Sequence, residues 1–73
     1  MAEHPAAAHH RKAAEHHQLA AKEHQAAAEA HSRGEDEKGG LHANLAYGHS
    51  VQAAHEMEEA AKKYTGQPTA SKR

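Results

Sequence analysis

The sequence predicts an all-α protein, an antiparallel hairpin of two long helices that associates into a four-helix bundle. Three observations carry that prediction. Histidine returns every seven residues, at His10, His17, His24 and His31, inside the run HHRKAAEHHQLAAKEHQAAAEAH of residues 9–31. Alanine, the best intrinsic helix former, is the commonest residue between them, at eight of eighteen positions. A shift of 33 residues then lays the first half of the chain over the second. It places His9 on His42, Ala13 on Ala46, His16 on His49, Ala20-Ala21 on Ala53-Ala54, Glu23 on Glu56 and Ala27-Ala28 on Ala60-Ala61.

Helix one is expected over 5–32. Pro5 suits a first turn, where its missing N–H costs nothing, and Gly34 can take the left-handed conformation that ends helices. Asp36 is a suitable N-cap for helix two over 36–64, with Gly66 and Pro68 as stop signals. Gly39-Gly40 interrupt its start. They either delay the helix to Leu41 or, matching Ala6-Ala7 in the repeat, continue a column of small residues. Residues 1–66 form a single domain and 67–73 a frayed tail. Helices of about 40 Å at ~1.5 Å per residue, joined by a short turn, make an antiparallel hairpin.

With the four histidines at heptad position a, position d is Ala6, Ala13, Ala20 and Ala27, and position e is Ala7, Ala14, Ala21 and Ala28. Arg11, Lys12, Glu15, Gln18, Lys22, Gln25 and Glu29 fall at b, c and f, a solvated face. The stripe expected to be apolar is alanine flanked by histidine. Glu58–Lys62, Glu59–Lys63 and Glu29–Arg33 are spaced as i,i+4 ion pairs. His55 is placed to pair with Glu58 and Glu59 on the helix surface. Tyr47 and Tyr64 are expected to pack across the hairpin, with Met57 as filler.

Composition limits what this chain does. Phe, Trp, Ile and Cys are absent from its 73 residues, and the large apolar side chains are three Leu, one Val, two Met and two Tyr. A scaffold this small needs a disulfide, a metal or a partner chain, and the lack of cysteine removes the first. Association into a homodimer is therefore expected. A net charge of −1 excludes the basic stripe of a nucleic-acid-binding protein. No signal peptide is read, and no apolar run approaches the ~18 residues of a membrane span; the cytoplasm is the expected compartment. Ser32 and Ser50 have neither a fixed acid partner nor a Gly-rich nucleophile turn, so no enzyme is expected.

The runs HHRKAAEHH and GEDEKGGLHANLAYGHSVQAAHEMEEAAKKY resemble a family of short, uncharacterised bacterial His/Ala-rich helical proteins. The pattern of that family is roughly HHxxAAxHH, a GxxEKAA turn, HAxLAxGHxxHA and a closing EAAK. The resemblance covers nearly the whole chain. It departs at Gly39, Gly40, Leu41, Val51 and Gln52, towards residues that bind no metal. It implies a small helical His-rich protein and brings no established activity.

Ten histidines without a thiolate suit a divalent transition metal, zinc or nickel before copper. No two of them are three or four residues apart, the spacing at which one helix chelates. Those seven apart are separated by about 10.5 Å along the axis, too far to share an ion at bond lengths of ~2 Å. A site must therefore form between helices. A turn centred on Gly34–Glu35 sets His24 between His42 and His49, and His17 between His49 and His55. It sets Glu23 between His42 and His49, and Glu56 between the His9/His10 and His16/His17 pairs. The expected ligands are His17, His24, His42 and His49, then Glu23 and Glu56, with His10, His16 and His55 further out. The function read from this is a non-catalytic metal buffer or store. Two alternatives stand beside it. One is a pH-responsive or structural interaction module, because histidine titrates near pH ~6.5. The other is a bis-His haem bundle, which lacks the apolar walls of a cofactor pocket and a C-x-x-C-H attachment motif.

Overall fold

A helix ends where its last carbonyls find other donors, and here one glycine supplies the geometry. In the computed structural model, which describes residues 4–65 without the side chains of Tyr64 and Thr65, two helices form. They are α1 (Pro5–Ser32) and α2 (Asp36–Thr65). Pro5 stands in the first turn of α1, and the His4 side chain caps it, Nδ1 accepting from the Ala6 N–H at 3.0 Å. At the other end Gly34 has φ 79°. The Glu35 N–H donates to the Ala30 carbonyl (2.8 Å) and the Gly34 N–H to that of His31 (3.0 Å). This is the two-bond closure that a left-handed glycine permits, and it turns the chain back on itself. Gly39 and Gly40 lie inside α2.

The two helices pack antiparallel along one line of small residues. Ala6, Ala13, Ala20 and Ala27 of α1 are buried, as are Ala46, Ala53 and Ala60 of α2, the last three at 0% exposure. Gly39 is buried on the same heptad step, and Ala30 closes the line near the turn. Side chains this small let helices approach closely, and each methyl removed from water contributes only about 0.8 kcal/mol. The hairpin is a two-helix ribbon with two broad faces.

Only one of the two expected alanine columns is buried. Ala14, Ala21 and Ala28 are exposed, because α2 sits over the d column and the column three residues beyond it, which turns position e to solvent. For the same reason Tyr47, one residue after Ala46, is 72% exposed and does not pack across the hairpin. Met57 is also exposed, together with Leu19, Leu41, Leu45 and Val51. Lys62 reaches Glu59 at 3.5 Å. The expectations for Tyr64 packing, the Gly66 and Pro68 stops and the 67–73 tail lie outside the described residues. Among the described residues no helix is long and apolar enough to cross a membrane.

Candidate functional site

The column three residues after each buried alanine faces the partner helix at the edge of the seam. On α1 it reads His9, His16, Glu23; on α2 it reads His42, His49, Glu56. Running antiparallel, the two columns meet in three tiers about 10.5 Å apart, two helical turns. In the first, His9 Nδ1 lies 2.6 Å from Glu56 Oε1. In the last, His42 Nδ1 lies 2.6 Å from Glu23 Oε1. Between them the His16 and His49 rings stack with centroids 5.8 Å apart and planes inclined by 29°.

The 33-residue repeat explains this order. Shifting every residue by 33 positions exchanges the first tier with the third and returns the middle tier to itself. The seam therefore has an internal two-fold relation, its axis passing between His16 and His49.

The outer tiers are carboxylate–imidazole pairs on half-buried ground. The hydrogen bond from His9 holds the Glu56 carboxyl below its ordinary value of 4.5; burial opposes it, and the charges of His9, Lys12 and His55 act with the hydrogen bond. In each outer pair the carboxylate engages Nδ1, so Nε2 is the nitrogen left to meet a further ligand. The middle tier has no carboxylate. His16 Nδ1 is buried there without a hydrogen-bond partner, and such a group carries a desolvation cost of about 1–3 kcal/mol.

The structure separates the expected ligands into two sets. Glu23, His42, Glu56, His16 and His49 stand in the seam, joined by His9, which was outside the expected set. His17 and His24 do not reach His42 or His49. They are exposed, as is His10, because position a lies on the far side of the buried alanine column from the seam. His55 is exposed on α2. The contacts His9–Glu56, His16–His49 and Glu23–His42 centre the turn near Ser32–Arg33 and not on Gly34–Glu35, so the facing residues are displaced by four positions, one helical turn, from those expected. Contact further requires a side chain pointing at the neighbouring helix, which position a does not have. Glu23 and Glu56 each take one histidine instead of lying between two.

His31 ends the solvent-facing column at the turn. Its Nδ1 lies 3.0 Å from Asp36 Oδ1, and its ring occupies the space where a Cβ on Gly39 would stand, 2.5 Å from Nε2.

Among the described residues no three His, Asp or Glu side chains converge as a ready metal cluster. Surface hollows, such as that lined by Val51, Ala54, His55, Met57 and Glu58, sit on the outside of one helix, not between two. No family model, curated protein or solved structure matches the chain.

Proposed function

We propose that the protein binds a divalent transition metal, zinc or nickel before copper, and serves as a buffer or store. The observation that carries this reading is the middle tier. Two imidazoles that share one tetrahedral zinc at ~2.0–2.1 Å per bond have ring centres about 5 Å apart. The His16 and His49 centroids are 5.8 Å apart, so rotation of the rings, with little helix movement, suffices to aim both at one ion. The buried His16 Nδ1 has no other partner to give up.

The outer tiers support the same chemistry. A ligating histidine usually gives its second ring nitrogen to a carboxylate, which fixes its orientation and raises its basicity. Glu56 and Glu23 stand in that relation to His9 and His42, making the carboxylates supports and the histidines ligands. Each tier offers one or two imidazoles, with water filling the remaining positions. Two protein donors and exchangeable water suit reversible storage better than a closed structural site.

The test is zinc competition against a chromophoric chelator, with protein that carries no affinity tag. His16→Ala and His49→Ala are expected to lower affinity at the middle tier at least about tenfold, while Glu23→Gln should leave that tier unchanged and weaken only the separate one at His42. His17→Ala and His24→Ala, on the other face, should change it little. His16→Leu sharpens the result, because an apolar side chain removes the unpaired nitrogen and should raise thermal stability while the affinity is lost. If all these variants weaken zinc by one small factor, the ions are adhering to a histidine-rich surface. The ligand-free pH-responsive module would then replace this reading.

A further inference from the structure

The face opposite the seam has a composition of its own. On α1 it carries His10, His17 and His24 with Ala14, Ala21 and Ala28 beside them, all exposed. On α2 the matching columns present Tyr47, Ala54 and Met57, also exposed. From Ala7 to His31 and from Gly40 to Ala61, positions a and e contain no Asp, Glu, Lys or Arg. The seam face, in contrast, has Lys12, Glu23, Lys38, Glu56 and Glu59 on its corresponding columns. An uncharged face on a chain with 26% charged residues is a marked segregation.

From this segregation we infer that a second copy of the chain docks on the uncharged face, forming a homodimeric four-helix bundle with the His10/His17/His24 column inside it. Three arguments fix the occupant. First, the area is right. A ribbon about 42 Å long by ~1.5 Å per residue and two helices wide at ~8–10 Å spacing offers on the order of 800 Å² per copy. That is the contribution of one partner to an interface of standard size.

Second, the face complements itself. A two-fold axis across the ribbon sets α1 antiparallel to α1 of the other copy, alanine column against alanine column at a seven-residue step. The hairpin's own seam is already such a contact, between two related helices. Third, among the described residues the hairpin buries no side chain larger than alanine on its core line and leaves Tyr47 72% and Met57 45% exposed. Docking covers both and gives the chain the larger apolar contacts it otherwise lacks. A charged partner has nothing to pair with on this face.

Sedimentation equilibrium with a chelator present tests the dimer apart from the metal reading. The expected mass is twice 7.9 kDa, unchanged by removing zinc. Ala21→Glu, which sets a charge in the middle of the uncharged face, should return the mass to that of one chain. Leu45→Glu, on the seam face, should leave the dimer intact. A helical, cooperatively melting 7.9 kDa species at all concentrations overturns the inference. So does a dimer lost with Leu45→Glu and kept with Ala21→Glu, because the second copy would then sit on the seam face. Zinc affinity lost in His16→Ala with the dimer mass unchanged leaves both proposals standing, and the mass result alone decides this one.

Discussion

The two broad faces of the hairpin hold the same residue type in adjacent positions, with opposite consequences. His9 and His16 face α2 and have intramolecular neighbours: a carboxylate for one and a stacked imidazole for the other. His10 and His17, one residue later, are exposed. A step of one residue turns a helix by about 100°, enough to pass from one side of the buried alanine column to the other. The seam face carries charge, and its outer tiers are paired within one chain, while Leu19 and Leu45 stay exposed beside them and His16 Nδ1 is left without a partner. The opposite face is uncharged and satisfied by nothing in that chain. A side chain's role here depends on its angle around the helix far more than on its identity.

The largest effect that sharpens this contrast comes from enlarging one alanine on each side. Ala53 has no exposed surface, so Ala53→Leu must push the helices apart or strain its neighbours, at a cost of about 3 kcal/mol. In a lone hairpin the exposed Ala21 should accept leucine within about 0.5 kcal/mol. In the docked bundle Ala21→Leu also costs stability, and its melting temperature becomes strongly dependent on protein concentration. Urea unfolding at two concentrations reads both. An Ala53→Leu protein as stable as the parent would show that the alanine line is not the close-packed contact described.

This contrast also explains how much was legible in the sequence. Both helices, the Gly34 turn and the d column of alanines followed from propensity, stop signals and a seven-residue step. The seam residues were obscured by the longer and more regular pattern, His10/His17/His24/His31. That heptad has no counterpart in α2, where the equivalent positions are Ala43, Ser50 and Met57. The 33-residue repeat carried the better signal. In a two-fold-related antiparallel pair, residues that meet across the seam recur in both halves, and the repeat retains His9/His42, His16/His49 and Glu23/Glu56. The Glu–His partnerships themselves needed the packing angle and a register one helical turn away from that of a turn centred on Gly34–Glu35, neither of which spacing alone supplies. His4 as a cap was missed because histidine is not among the preferred N-cap residues.

A pH titration probes the seam face at intermediate size. The Glu56 carboxyl is held below its ordinary 4.5, chiefly by its hydrogen bond with His9. A group whose pKa is lowered by folding stabilises the folded state above its ordinary pKa, and that contribution disappears as pH falls through the lowered value. Glu56→Gln should therefore melt below the parent at pH 6 to 7, and the two curves should converge once the solution is acid enough to protonate Glu56 in the folded chain. Thermal melts by circular dichroism across that range check it. A difference that persists undiminished in acid would mean that glutamine disturbs packing and that the His9 bond contributes little.

The smallest expected effect separates two adjacent glycines and examines the only histidine that links the exposed column to the turn. A Cβ on Gly40 meets nothing within 4 Å, so Gly40→Ala should stabilise α2 by about 0.8–1 kcal/mol, the ordinary helical gain. Gly39→Ala has the same intrinsic gain, but its methyl would stand 2.5 Å from the His31 ring. The obstacle is the far end of a half-exposed side chain, so the ring swings away and the helix is kept. What is lost is the 3.0 Å contact with Asp36, worth at most about 1 kcal/mol for an exposed pair, along with the packing of the ring over the glycine. Gly39→Ala should therefore sit near neutral. In a His31→Ala background the obstacle is gone and Gly39→Ala should recover the full gain of Gly40→Ala, a non-additivity confined to residues in contact. Equal gains at both glycines in the parent would show that His31 does not rest on Gly39, and the exposed histidine column would then have no anchor at the turn.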